Sequence, residues 1–179
     1  PVATARGINM TGKTMRYARP RSIEDAVGLL AAEEGRASIL AGGSDLLVRM
    51  KGGFIEPDLI VDIKAIEDLR EIRETAEGFR IGAAVPCAIM RETPALKKAW
   101  PGVVEAANLI GSKQVQGRCT IAGNLCNASP AADSVPAMVA AGARAMIAGP
   151  SGTRTIAVED SPAGPGRTSL GKGEIVTAI

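Results

Sequence analysis

Between Pro20 and Gly35 apolar residues return at Ile23, Ala26, Val27 and Leu30, the spacing of one helix face. Ser22, with Asp25 three positions on, predicts the N-cap, and Gly35 predicts the stop. A short apolar run from Ser38 to Ala41 then reads as a strand, Gly42 and Gly43 as a turn, and Asp45 to Met50 as a short helix. Leu59 to Asp62, after Pro57, reads as a second strand. The order is strand, glycine turn, helix, strand.

Residues 1–14 show no hydrophobic period and are expected to form a tail, with structure beginning near Met15. The polar stretch from Glu67 to Gly78 predicts a boundary near residue 70, dividing the chain into lobes of residues 15–69 and 70–179. In the second, Phe79 to Ala83 reads as a strand, Pro86 opens a helix to Arg91, and Pro101 opens one from Val103 to Ile110. Gly111 to Asn127 has no sustained period and reads as irregular, which makes it a natural place for a site. Asp133 is expected to cap a helix from Ser134 to Ala141 that ends at Gly142. A hairpin over Arg144–Ala148 and Thr153–Val158 and a strand over Glu174–Ile179 complete the pattern. The expected fold is two-lobed α+β, a small α/β N-terminal lobe plus a larger mixed lobe with an antiparallel sheet.

Composition narrows the chemistry. The 179 residues carry 21 basic and 19 acidic side chains without a basic tract, so neither nucleic acid nor an anionic membrane is an expected partner. Apolar runs are interrupted well short of the ~20 residues of a membrane span, and a cytoplasmic location is the expectation. Histidine is absent, which removes catalytic triads and histidine acid–base chemistry. Cys87, Cys119 and Cys126 lack metal-ligand spacing and read as reduced thiols, so no catalytic or metal-binding residue is assigned. Whatever chemistry the chain supports must then come largely from something bound.

Three segments could bind it. Gly7 to Thr14 matches the phosphate-loop pattern, with Lys13 in the lysine position, and Leu59 to Asp62 could serve as a magnesium-binding strand. Its context opposes that reading, since only Pro1 to Arg6 precede it and Pro20 closely follows. In Leu40-Ala41-Gly42-Gly43-Ser44-Asp45 the glycines let backbone N–H groups converge on an anion such as pyrophosphate, although taken alone the same residues more readily read as an ordinary turn with Ser44 or Asp45 as N-cap. Thr120 to Asp133 places hydroxyl, amide and carboxylate groups around Gly123, suited to a polyhydroxylated ligand. Within it Asp133 is either a ligand contact or a cap, and Cys126 either a contact or a small core residue.

Together these segments, with Tyr17-Ala18-Arg19-Pro20 and Gly171-Lys172-Gly173-Glu174-Ile175, resemble the PCMH-type FAD-binding domain of the molybdenum hydroxylases, the family of xanthine and carbon monoxide dehydrogenases. The resemblance runs from Met15 to Ile179. It implies that Leu40, Ala41, Gly42, Gly43, Ser44 and Asp45 hold the FAD pyrophosphate, and that Thr120, Gly123, Asn124, Cys126 and Asp133 continue the FAD contacts. It further implies electron transfer within a complex, from an iron–sulfur small subunit and a molybdopterin-binding large subunit carrying the molybdenum cofactor, through FAD to an acceptor. The chain departs from the family pattern at Gln114-Val115-Gln116-Gly117, at Cys119 and at Ala122. Family flavin subunits also continue into a further domain, so a fragment or short form is expected. The alternatives are a phosphate-loop nucleotide hydrolase and a cofactor-free assembly module on a degenerate flavin fold.

Overall fold

The computed structural model of the chain describes residues 2–8 and 14–179. Strand β1 (Ala3–Ile8) pairs antiparallel with β2 (Thr14–Arg19), Ala3 opposite Arg19. The expected tail therefore contains a strand. Residues 3–7 are all exposed, so no buried face wrote a period into the sequence, and the backbone ladder to β2 holds the strand. Residues 9–13 of the phosphate-loop pattern, Lys13 included, lie outside the described residues.

Helix α1 (Ile23–Ala32) starts as expected, with the Ser22 hydroxyl accepting from the Asp25 N–H at 3.0 Å, and it buries Ala26 and Leu30. Strand β3 (Ala37–Leu40), helix α2 (Leu46–Lys51) and strand β4 (Leu59–Asp62) follow. The sheet order is β1-β2-β4-β3, and β4 runs parallel to both neighbours. All four β4 residues are buried, as suits a parallel strand covered on both faces.

Two 3-10 turns lead to the hairpin β5 (Ile72–Thr75) and β6 (Gly78–Ile81), of which β5 lay within the expected polar connection. Then come α3 (Cys87–Arg91), α4 (Pro94–Ala99), α5 (Pro101–Ala107), α6 (Lys113–Gln116), α7 (Ile121–Asn127) and α8 (Val135–Ala140). The segment read as irregular thus holds two short helices, too short for apolar periodicity to register. Helix α5 stops before Ile110, and at its C-cap the Asn108 side chain donates to the Val104 carbonyl at 2.7 Å. Ser134, rather than Asp133, stands at the start of α8, and no side chain caps it.

The chain ends in β7 (Arg144–Gly149), β8 (Gly152–Ala157), β9 (Pro162–Gly164), β10 (Arg167–Thr168) and β11 (Ile175–Ala178). The antiparallel order β11-β7-β8 contains the expected hairpin and terminal strand. Ile81 and Ile179 exchange backbone hydrogen bonds of 2.7 and 2.9 Å, which ties β6 to the end of β11. One hydrophobic cluster runs from Val61 and Ile63 through Leu69 and Ile81 to Leu125, Ile147 and Ile175, so the two lobes share a core.

Candidate functional site

The site forms where the turn after β3 meets the start of α7. Gly43 takes a φ of +77°, which glycine adopts without strain. Gly42 lies flat against the other lobe: a β-carbon there would stand 2.8 Å from the Cys119 α-carbon and nearer still to the Arg118 carbonyl oxygen. Among the described residues, the N–H groups of Gly42, Gly43, Ser44 and Asp45 donate to no atom of the chain, whereas the Gly43 and Asp45 carbonyls accept from Leu47 and Arg49. A run of donors without partners in the chain, on a glycine turn, is the arrangement from which anion-binding concavities are built.

Across from it, the buried Thr120 hydroxyl accepts from the Gly123 N–H at 2.9 Å and caps α7. The Asn124 Oδ1 accepts from both the N–H and the hydroxyl of Ser134, at 3.2 and 2.7 Å, and ties α7 to α8. Three polar groups expected to face a ligand therefore spend those atoms on the wall itself. Between the two segments lies a cavity of about 420 Å³. Ala41, Gly42, Gly43, Ser44 and Asp45 line one side, and Thr120, Gly123, Asn124 and Cys126 the other. Leu40 and Asp133 do not line it: Leu40 Cδ1 packs beneath Gly43, and Asp133 is exposed.

Several lining residues carried no local signal. Arg49 brings a cation from α2 and Thr168 a hydroxyl from β10, while Asn127, within the 120–133 segment, adds a second amide from the end of α7. Ile39, Ile110 and Val176 add apolar surface from three distant elements. Only tertiary packing brings Ile110, Thr168 and Val176 to the glycine turn. Cys126 is the cavity thiol that burial pushes up to about 11, so it stays protonated at neutral pH.

The strand considered for magnesium is occupied otherwise. Asp62 accepts from the Tyr17 hydroxyl at 2.6 Å and from the Lys64 N–H at 3.0 Å, and pairs with the Lys64 ammonium. Burial alone would raise its pKa, but the Lys64 and Tyr17 hydrogen bonds outweigh that and hold it below the ordinary value. Tyr17 is correspondingly pushed up to about 12, by burial and then by Asp62. Among the described residues no histidine, cysteine or carboxylate cluster could hold a metal ion, and no helix is long and apolar enough to cross a membrane.

Residues 13–179 match the family described as the FAD binding domain in molybdopterin dehydrogenase. The chain belongs to that family. It is 34% identical over 163 residues to the carbon monoxide dehydrogenase medium chain of Hydrogenophaga pseudoflava, covering 91% of this chain and 57% of the relative. It is 32% identical over 164 residues to the xanthine dehydrogenase FAD-binding subunit of Escherichia coli O157:H7, covering 91% and 56%. A solved carbon monoxide dehydrogenase from Hydrogenophaga pseudoflava, lacking the Mo-pyranopterin moiety of its molybdenum cofactor, superposes with a TM-score of 0.87 at 34% identity, over 90% of this chain and 56% of that one. The chain thus spans little more than half the length of these relatives. Membership in the FAD-binding family bears out the two-lobed α+β reading.

The cavity also fits a dinucleotide flavin on its own chemistry. N–H donors without partners in the chain suit the charged pyrophosphate, the hydroxyl and amide groups of Ser44, Asn127 and Thr168 suit the ribityl and ribose hydroxyls, and the isoleucine and valine side chains suit an aromatic ring.

Proposed function

We propose that this chain holds FAD between its two lobes and serves as the electron-relaying flavin part of a molybdenum-containing hydroxylase or dehydrogenase. The observation that carries the reading is the set of N–H groups at Gly42 to Asp45 without partners in the chain, on residues that line the cavity together with the start of α7. FAD, when bound, supplies both hydride and single-electron chemistry.

Every other task falls to the chain's own residues. The 42–45 N–H groups bind the pyrophosphate without a side chain in the way, and Arg49 adds positive charge on the same lobe. Thr120 and Asn124 act as positioning residues: by fixing the first turn of α7 and its link to α8 they set the opposite wall, where Gly123 leaves room and Cys126 adds apolar surface. Leu40 supports Gly43 from below, and Asp133 remains outside the wall. Ile39, Ile110 and Val176 keep water from the apolar part of the cavity.

Relatives described as medium or FAD-binding subunits support a place in a multisubunit complex. In this reading the partners are a molybdopterin-binding large subunit and an iron–sulfur small subunit. Leu47, Val48 and Phe54, exposed beside the cavity, offer apolar surface for contact. Reduced Cys87, Cys119 and Cys126 accord with a cytoplasmic setting.

Titration of the chain with FAD, followed by flavin fluorescence and absorbance, tests the binding. Saturable binding that Gly43→Val abolishes is expected, because a branched side chain at a φ of +77° would be strained and would crowd the donor turn. No bound flavin in the unaltered chain would instead favour the assembly-module reading, and ATP binding sensitive to Lys13→Ala would favour the phosphate-loop one.

A further inference from the structure

Two buried cysteines meet beside the cavity. Cys87 opens α3, and Cys119 stands immediately before the Thr120 cap of α7. The Cys87 N–H donates to the Cys119 carbonyl at 2.9 Å. A direct backbone bond of this kind places α-carbons on the order of 5–6 Å apart, within the span of a disulfide. Both residues are buried, at 0% and 3% exposure, yet Cys119 also lines the cavity, so one member of the pair can be reached through it.

The two thiols are also unequal. Hydrogen bonding from Cys87 holds the Cys119 thiol below its ordinary pKa, while the same contact and burial push Cys87 up. Cys119 is the member of the pair that lines the cavity, so a small oxidant arriving there meets it first. Cys126 lines the same cavity, but desolvation alone governs its thiol.

We propose that Cys87 and Cys119 form an oxidisable dithiol, which a peroxide reaching Cys119 through the cavity converts to a disulfide and which FAD in the cavity shields. The Cys119 thiolate attacks one peroxide oxygen, the O–O bond breaks, and a sulfenic acid forms with release of water after protonation. The Cys87 sulfur then attacks the Cys119 sulfur, the S–S bond forms, the S–O bond breaks, and the Cys87 proton leaves with the departing hydroxide as a second water. Two electrons pass from the thiols to the peroxide. Shielding rests on the proposed FAD site; the disulfide itself does not.

The test treats the chain with hydrogen peroxide, alkylates remaining thiols after denaturation, and maps peptides by mass spectrometry. The expected result is a mass lower by about 2 Da for the two hydrogens lost, with a bridge between Cys87 and Cys119 and Cys126 alkylated. Cys87→Ser and Cys119→Ser should each abolish the bridge. A bridge through Cys126, or full alkylation of all three thiols, would overturn the pair. With FAD at ten times its dissociation constant, bridge formation should slow about tenfold, in proportion to the remaining apo chain. An undiminished rate in flavin-saturated protein would overturn the shielding. Absence of FAD binding with the bridge still formed would strike the flavin reading and leave the thiol pair standing.

Discussion

The carbonyl group of Arg118 fills the space that a β-carbon on Gly42 would need, its carbon 2.8 Å from that position. The turn that presents unpartnered N–H groups is therefore pressed directly against the backbone that leads into α7. Lobe contact and donor geometry depend on the same missing side chain.

Gly42→Ala should accordingly cost about 2 kcal/mol of stability, as overpacking against an unyielding backbone does, and should abolish flavin retention. Gly28→Ala is the control: it lies mid-helix in α1 with nothing within 4 Å of an added β-carbon. That variant should gain about 0.5–1 kcal/mol. Chemical denaturation and bound flavin, measured on both, check the pair.

Thr120→Ala should cost about 1 kcal/mol by removing the cap on α7, while Thr120→Ser should keep most of it. Gly123→Val should resemble Thr120→Ala in stability, because its β-carbon would sit 2.9 Å from the Thr120 hydroxyl oxygen. Thermal melts separate these outcomes. Equal melts for Thr120→Ala and Thr120→Ser would show that the cap contributes nothing.

Asp133→Ala and Asp133→Asn should both stay within about 0.5 kcal/mol of the parent, since the residue is exposed and caps no helix. Asn124→Ala should cost about 1–3 kcal/mol, because it leaves the fully buried Ser134 hydroxyl without its acceptor. A loss at Asp133 equal to that at Asn124 would restore a structural role to the aspartate.

Glu174 accepts from Arg154 at 2.7 Å through each of its oxygens and from the Gly171 N–H at 2.7 Å. Chiefly through Arg154, with the Gly171 N–H adding, its pKa falls from 4.5 to about 2, against a smaller opposing effect of desolvation. Its stabilising contribution is thus complete above pH 4.5 and is lost as pH falls toward 2. Glu174→Gln should lower stability by about 1 kcal/mol at neutral pH and flatten the dependence in that acid window. Stability curves of both proteins between pH 2 and 6 read the difference.

Much of this was legible from local chemistry. Ser22, the β3 to α2 glycine turn and the β7–β8 hairpin were readable because each depends on residues within a few positions of one another. Strand β1 was not, since its pairing comes from β2 rather than from any apolar alternation. Helix α7 escaped because seven residues containing Gly123 and two asparagines carry too little periodicity. For the site, the glycine turn and Thr120 were visible, but Asn124 finds Ser134 only once α7 and α8 have packed. Thr168 and Val176 likewise reach the cavity from elements that only the assembled sheets bring together, whereas Arg49 lies one helical turn beyond the glycine turn itself.

The hydrogen bonds exchanged by Ile81 and Ile179 have a temporal consequence. During synthesis the N-terminal sheet has all its strands once Asp62 has emerged, whereas β6, paired early with β5, waits nearly a hundred residues for its second neighbour at Ile179. Pairing across so long a span must absorb loop closure before it yields any contact energy, so the second lobe is the slow part to fold. Until then the β6 edge stays open on the ribosome, and the donor turn at Gly42 has no finished wall to face.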